Sequence, residues 1–205
     1  MLPIAAVLAL GLVIALERWV YLSKARIDNR TAFKKIQPLL AENQYQQLYD
    51  YVKSSKAHTS QLIQAGMAAM SVSRSREDIL ASMQEASMEC VPRLEKRTAY
   101  LATLANVATL LGLLGTIIGL ISAFTAVADA DPATKATLLS QSISVAMNTT
   151  AFGLISAIPL LLIHSVLQSK TTQVVDSLDI VCVKFLNTVT AKPKVNAAAG
   201  QKSAA

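Results

Sequence analysis

Two long stretches without a charged residue constrain the fold of this chain more than any other feature. Residues 99–128 and 136–169 contain no Asp, Glu, Lys or Arg. About 30 residues of α-helix rise roughly 45 Å, which is enough to cross a bilayer and extend past it. The two stretches therefore predict a pair of membrane-spanning helices.

A third apolar run, residues 2–16, lies at the N-terminus, and we interpret it as a retained membrane helix. No basic residue precedes the run, and Glu17-Arg18-Trp19 follows it in place of a small-residue cleavage site. It therefore lacks the features of a signal peptide. Residues 20–22 complete the span. The alternative is an interfacial helix, because about 15 apolar residues are short for a span.

The rest of the chain predicts further helices and no strands. Apolar residues of the segment before the second span recur at helical spacing, without an alternating run bounded by turn residues. We expect an all-α membrane protein with three transmembrane helices and long helical cytoplasmic extensions, the last of which runs without interruption into the second span. The expected segments are a first transmembrane helix (1–22), a cytoplasmic helical region (23–98), a second transmembrane helix (99–128), a periplasmic loop (129–135), a third transmembrane helix (136–169), a cytoplasmic helix (170–189) and a disordered tail (190–205).

The distribution of basic residues predicts the orientation. Of 19 Lys and Arg residues, 13 lie within 18–97 and five lie from Lys170 onward, whereas the short loop holds only Lys135. By the positive-inside rule the N-terminus lies outside and the C-terminus in the cytoplasm. The net charge of +6 thus reflects topology, and nucleic acid is not an expected partner.

Basic and aromatic residues mark the predicted edge of the membrane. Long cationic side chains and tryptophan are typical of the headgroup level, where they contact membrane lipids. The predicted interface anchors are Arg18, Trp19, Arg93, Lys96 and Arg97.

The second span has a face of small residues. Gly115 and Gly119 are one helical turn apart, and Gly112, Thr116 and Gly119 are spaced so that they share a face. Such spacing lets another backbone approach closely. This face predicts close helix packing, with the hydroxyl of Thr116 accessible to a neighbouring helix.

The third span carries three adjacent polar residues, Asn148, Thr149 and Thr150, followed by Gly153 and Pro159. Polar groups in hydrocarbon need partners, so we interpret the three as a polar lining. A bond from a threonine hydroxyl to its own helix is the alternative for any one of them. On spacing alone, the stripe of Ser142, Thr149 and Ser156 favours Thr149 over Thr150.

Carboxylates and clusters of metal-binding residues are missing from the two uncharged stretches. Neither uncharged stretch holds a carboxylate, and a proton path normally needs a titrating group within the membrane. We therefore expect a partner to supply it. The two Cys and two His residues are isolated, and no nucleophile–base set or phosphate-binding loop is apparent. We predict no enzyme activity, no cofactor and no metal.

Two motifs resemble one known family. The stretch 101–124, with the sequence LATLANVATLLGLLGTIIGLISAF, resembles the second span of the ExbB/TolQ/MotA proton-channel family, and residues 142–159 resemble its third span. The resemblance is closest to the ExbB branch and covers roughly residues 2–189. Both motifs occur in the family's order and at its spacing.

The resemblance implies a homopentamer in the bacterial inner membrane, with the second and third spans around a small single-span partner of the ExbD or TolR type. That partner carries an Asp in its membrane helix. Proton flow would drive motion of the partner and energise a periplasmic protein such as TonB. Thr116 and Thr150 match the family's pore threonines, with Thr149 as the second choice.

Two positions depart from the family pattern. Val145 stands where ExbB and TolQ members typically carry Glu, and Thr109 stands where many members have Pro. Loss of the Glu leaves open a different ion, including Na⁺, or a different partner. A TolQ-like system for envelope maintenance, another stator and a non-conducting membrane scaffold are the alternatives.

Overall fold

The computed structural model describes residues 1–42, 44–73, 75–128 and 130–190. These residues form six α-helices and no strand, which confirms the all-α expectation. The helices are α1 (Leu2–Ala41), α2 (Tyr45–Ser54), α3 (His58–Val72), α4 (Arg76–Glu95), α5 (Thr98–Ala128) and α6 (Lys135–Thr190).

Within the described residues, three helical segments are long and apolar enough to cross a membrane, as predicted. They are Leu2–Ala41, Arg76–Ala128 and Lys135–Thr190. Large apolar side chains remain more than half exposed on their surfaces, for example Leu110 and Phe124 on α5 and Ile155 on α6. Lipid or other protein chains must cover these side chains, because a soluble monomer rarely leaves so large an apolar surface in water. The chain is a multi-pass membrane protein.

The expectation of an uninterrupted helix into the second span is wrong. Helix α4 ends at Glu95 and α5 begins at Thr98. Arg97, between them, has φ of 66°, a left-handed conformation that breaks the helical hydrogen-bond pattern and is uncommon outside glycine. The Arg97 guanidinium binds Glu17 of α1 through both carboxylate oxygens, at 2.6 and 2.8 Å. The side chain of Arg18 donates to the carbonyl of Leu94, which caps the end of α4.

The segment ends differ slightly from the predicted ones. Helix α6 begins at Lys135, which we assigned to the loop, and it continues past Ser169 to Thr190, which we assigned to the disordered tail. The remainder of the predicted tail, 191–205, lies outside the described residues.

One compact unit contains residues 1–26 and 91–175. In it, α1 presents a buried stripe of Ile4, Gly11, Ala15, Arg18 and Leu22 at helical spacing. A Cβ atom on Gly11 would lie 2.6 Å from Cδ2 of Leu160. The absence of a side chain at Gly11 thus lets α1 pack closely on α6.

The second compact unit contains residues 27–90 together with the described residues from Asp176 onward. Its core includes Leu48, Leu62, Met83 and Phe185, each at most 1% exposed. Asn29 accepts a hydrogen bond from the backbone N–H of Thr59 and so satisfies a donor in the first turn of α3. This unit is a helical bundle built around an apolar core.

The reactivity of the two buried cysteines reports on the packing of the second unit. Cys90 and Cys182 are both buried, and burial, with the nearby Asp179, raises the pKa of the Cys182 thiol to about 11. Only the thiolate is nucleophilic, and a raised pKa delays thiolate formation as the pH rises.

We therefore expect N-ethylmaleimide to leave Cys182 of the detergent-purified protein unmodified at pH 7 and at pH 9. Intact-protein and peptide mass spectrometry measures this, with protein unfolded in SDS as the fully labelled control. Rapid labelling of native Cys182 at pH 7 contradicts the buried position.

Candidate ion pathway at the contact of α5 and α6

Helices α5 and α6 meet backbone to backbone at Gly112 and Gly153. A Cβ atom on Gly112 would lie 3.1 Å from the Cα of Gly153 and 3.3 Å from the Cα of Thr150. A Cβ atom on Gly153 would lie 2.9 Å from the carbonyl oxygen of Ala108. Neither position has room for a side chain, because the surrounding atoms belong to the backbone and cannot rotate away.

The other two glycines of α5 continue this contact along the helix. Gly115 faces Thr149, and a Cβ atom on Gly119 would lie 2.6 Å from the Cβ of Ala146. The two helices therefore run antiparallel, with the glycine face of α5 against α6. Close approach of small residues is a main source of helix association in membranes, where the hydrophobic effect between helices is absent.

Thr150 makes a hydrogen bond between the two helices. Its Oγ1 donates to the carbonyl oxygen of Gly112 at 2.8 Å, in a half-buried position. Gly112 precedes Thr116 by four residues, or about 6 Å along the helix axis. The contact thus brings the Thr150 hydroxyl within one turn of Thr116.

Thr116 and Thr149 donate to their own helices. Oγ1 of Thr116 bonds the carbonyl of Leu113 at 2.6 Å, and Oγ1 of Thr149 bonds the carbonyl of Val145 at 3.0 Å. Both residues are half-buried. A hydroxyl that donates its proton in this way retains lone pairs that accept hydrogen bonds or bind a cation. The three threonines therefore supply acceptor oxygens near one contact.

The other polar positions of α6 lie in different surroundings. Asn148 is exposed, whereas Ser156 is fully buried and donates to the carbonyl of Phe152 at 2.8 Å. Val145 is 59% exposed. Pro159 lies within α6 and has no N–H to donate to the carbonyl of Ile155. The stripe of Ser142, Thr149 and Ser156 thus does not form one accessible surface.

The predicted interface anchors divide into two groups. Arg18 is buried against Leu94, and its guanidinium also lies 4.8 Å from the centre of the Tyr21 ring. Arg97 pairs with Glu17 at a half-exposed position. Arg93, Lys96 and Trp19 are exposed. Arg18 and Arg97 therefore have polar partners within the protein, the Trp19 ring contacts the ammonium group of Lys170, and Arg93 and Lys96 are exposed.

The described residues of the predicted spans (1–22, 99–128 and 136–169) contain no carboxylate other than Glu17, and Glu17 is bound to Arg97. No three His, Cys, Asp or Glu side chains come together in a metal-binding arrangement within the described ranges. The contact of α5 and α6 therefore offers hydroxyl and carbonyl oxygens and no titrating group of its own.

Comparison with known proteins identifies the family. A profile of the MotA/TolQ/ExbB proton channel family matches residues 54–180, which include both halves of the contact. The chain belongs to this family. No individual curated protein matches it significantly, so the assignment rests on the family profile.

Membership indicates a proton-channel, stator-like function for this protein, in a family that works with partner proteins as channel complexes. The family is not a known enzyme family. The match is made at the level of the whole MotA/TolQ/ExbB family. It covers less of the chain than the predicted resemblance, which extended over residues 2–189.

The sequence did not indicate that the backbone carbonyl oxygen of Gly112 accepts a hydrogen bond from Thr150. The spacing of Gly112 indicated a packing face, but its carbonyl is an acceptor that every residue carries and so leaves no signature in the sequence. The pairing of Gly112 with Gly153 was the available signal, because two glycines at matching depth in antiparallel helices permit such an approach.

Substitution of Gly112 tests the backbone contact. Gly112→Ala places a methyl group against the Cα atoms of Gly153 and Thr150. Overpacking of this kind typically costs about 1–3 kcal/mol, so we expect the thermal unfolding midpoint in mild detergent to fall by several degrees. Ala126→Val is the matched control, because Ala126 is an exposed residue of α5. An unfolding midpoint equal to that of the wild type for Gly112→Ala contradicts the contact.

Proposed function

We propose that this chain is the ion-channel and stator subunit of a bacterial inner-membrane complex that uses the proton-motive force to energise a periplasmic protein of the TonB type. The observation that carries the proposal is the pair of half-buried threonines, Thr116 and Thr150, at the contact of two family-matched helices, where Thr150 bonds the Gly112 carbonyl one turn before Thr116. The ExbB-like residues around Thr116 favour outer-membrane uptake as the work that is driven.

In the proposed function the hydroxyl groups of Thr116 and Thr150 accept hydrogen bonds and do not change their charge. Thr150 donates to Gly112 and keeps its lone pairs, so its oxygen can accept a hydrogen bond from a protonated carboxyl group or from water. Thr116 has the same property on the neighbouring helix. A protonated carboxyl group of the partner is the natural donor to these oxygens.

The partner completes the pathway. The described spans hold no free carboxylate, so a single-span partner of the ExbD or TolR type, with an Asp in its membrane helix, supplies the proton carrier. A homo-oligomer, pentameric in the family pattern, places the α5 and α6 surfaces of several copies around that helix. The exposed apolar residues of these helices support contacts with other copies and with lipid.

The charge distribution supports an N-terminus in the periplasm and a C-terminus in the cytoplasm. In this orientation the loop around Asp131 faces the periplasm. The membrane helix of the partner then connects the periplasm with the cytoplasm, the two compartments between which protons flow.

A TolQ-like role in envelope maintenance differs only in the effector and uses the same contact. A non-conducting scaffold is favoured by one observation, the apolar and exposed Val145 at the position where related members typically carry Glu. Partner-dependent ion flux separates the scaffold from the stator.

Removal of single hydroxyl groups tests the role of Thr150. Thr150→Val keeps the side-chain shape and removes the hydroxyl. We expect coupled outer-membrane uptake to fall by about tenfold or more, the equivalent of one lost hydrogen bond of roughly 1.4 kcal/mol. Uptake is measured in cells in which the chain and its partner are the sole energising system, and native mass checks assembly.

Two variants serve as controls for this experiment. Thr150→Ser restores the hydroxyl and is expected to restore uptake. Thr125→Val removes the hydroxyl of an exposed threonine of α5 that bonds only its own helix, and is expected to leave uptake near the wild-type rate. Full uptake by an assembled Thr150→Val variant, or an equal loss in Thr125→Val, overturns the assignment to Thr150.

A further inference from the structure

A group of hydrogen-bond donors lies between α1 and α6, away from the threonines. Trp19, Ser23 and Arg26 are spaced by four and three residues on α1, so they share one face of that helix. Lys170 of α6 contacts this face at Trp19, with Nζ 3.1 Å from the centre of the Trp19 ring. The ring and the ammonium group are thus already in contact.

The two cations of this group are not neutralised. Neither Arg26 nor Lys170 forms an ion pair with any described residue. Burial lowers the pKa of the Lys170 ammonium, and the nearby Arg26 guanidinium lowers it further. Two like charges on packed helices, neither of them paired with a carboxylate of the described residues, favour the binding of an anion.

The group lies at the predicted cytoplasmic edge of the membrane. Lys170 directly follows Ser169, the last residue of the third uncharged stretch, and Arg26 follows the end of the predicted first span by four residues, or about 6 Å. Trp19 is 46% exposed. Tryptophan at this depth lies beside lipid headgroups and the upper part of the acyl chains.

We propose that Arg26, Lys170 and Trp19 form a binding site for the phosphate group of an anionic phospholipid in the cytoplasmic leaflet. Arg26 and Lys170 bind the phosphate from two helices, and the exposed part of the Trp19 ring contacts the glycerol and upper acyl region. The bound lipid joins α1 to α6. The site is independent of ion conduction and of the threonines.

Lipid retention in native mass spectrometry tests this site. The wild-type protein is reconstituted with dioleoyl-phosphatidylglycerol or dioleoyl-phosphatidylcholine and transferred to mild detergent. We expect wild-type protein to retain phosphatidylglycerol selectively, and Arg26→Gln/Lys170→Gln to retain it about tenfold less. Lys24→Gln/Lys96→Gln is the matched control, because it removes two exposed charges from the same boundary.

The outcomes distinguish a specific lipid-binding site from nonspecific electrostatic attraction between anionic lipid and basic residues. Equal loss of phosphatidylglycerol in both double variants indicates only diffuse attraction to the basic belt and overturns the proposal. Equal retention of the two lipids by the wild type overturns it as well. Stabilisation of the wild type by inorganic phosphate, to the same extent as by the lipid, assigns the site to soluble phosphate and overturns the lipid assignment.

Folding of the double variant is checked separately. Its unfolding midpoint in phosphatidylcholine should equal that of the wild type, and Arg26→Lys/Lys170→Arg should recover lipid retention because it keeps both charges. A double variant that is well folded and retains phosphatidylglycerol as the wild type does contradicts the site. If the double variant unfolds, retention of less phosphatidylglycerol by a folded Arg26→Lys/Lys170→Arg variant than by Lys24→Gln/Lys96→Gln contradicts the site.

Discussion

The backbone contact between Gly112 and Gly153 is the constraint on which the arrangement of the polar residues depends. Because neither residue has a side chain, the two long uncharged stretches of α5 and α6 approach until a Cβ atom would lie about 3 Å from the opposite backbone. Only this approach places the Gly112 carbonyl 2.8 Å from the Thr150 hydroxyl and brings Thr116 within one turn. In a membrane, where burial of apolar surface does not pull helices together, such small-residue packing is decisive.

The chemistry of the contact between α5 and α6 is limited by its side chains, which include hydroxyl groups and no carboxylate. Hydroxyl and carbonyl oxygens can accept hydrogen bonds and orient water, but they do not change their charge near neutral pH. Glu17, the carboxylate within the predicted spans, is bound to Arg97 and helps to hold α1 at the break between α4 and α5. In the proposed function a partner chain supplies the titrating group, and the family works with partner proteins as channel complexes.

Much of the fold could be predicted because charge is costly in hydrocarbon, so the uncharged stretches revealed the three membrane segments. The spacing of Gly112 and Gly119 likewise indicated a packing face. The helix break could not be predicted, since Arg97 is neither Gly nor Pro and its partner Glu17 is 80 positions away. At the candidate site, helical spacing favoured Thr149, because spacing defines a face of a helix but not the backbone atom that faces it. The bond of Thr150 to Gly112 depends on the neighbouring helix, and the role of Thr150 in ion flow stays a prediction.

Proton flux across reconstituted vesicles tests the central claim most directly. The chain is incorporated into proteoliposomes alone, with a single-span partner that carries a membrane Asp, and with the same partner in which that Asp is replaced by Asn. Internal pH is followed after a proton gradient is imposed. We predict proton entry above the background of empty vesicles only with the Asp-bearing partner. Equal flux through the chain alone, or no flux through an assembled complex with the Asp-bearing partner, contradicts the claim that this chain supplies the hydroxyl lining and its partner supplies the proton carrier.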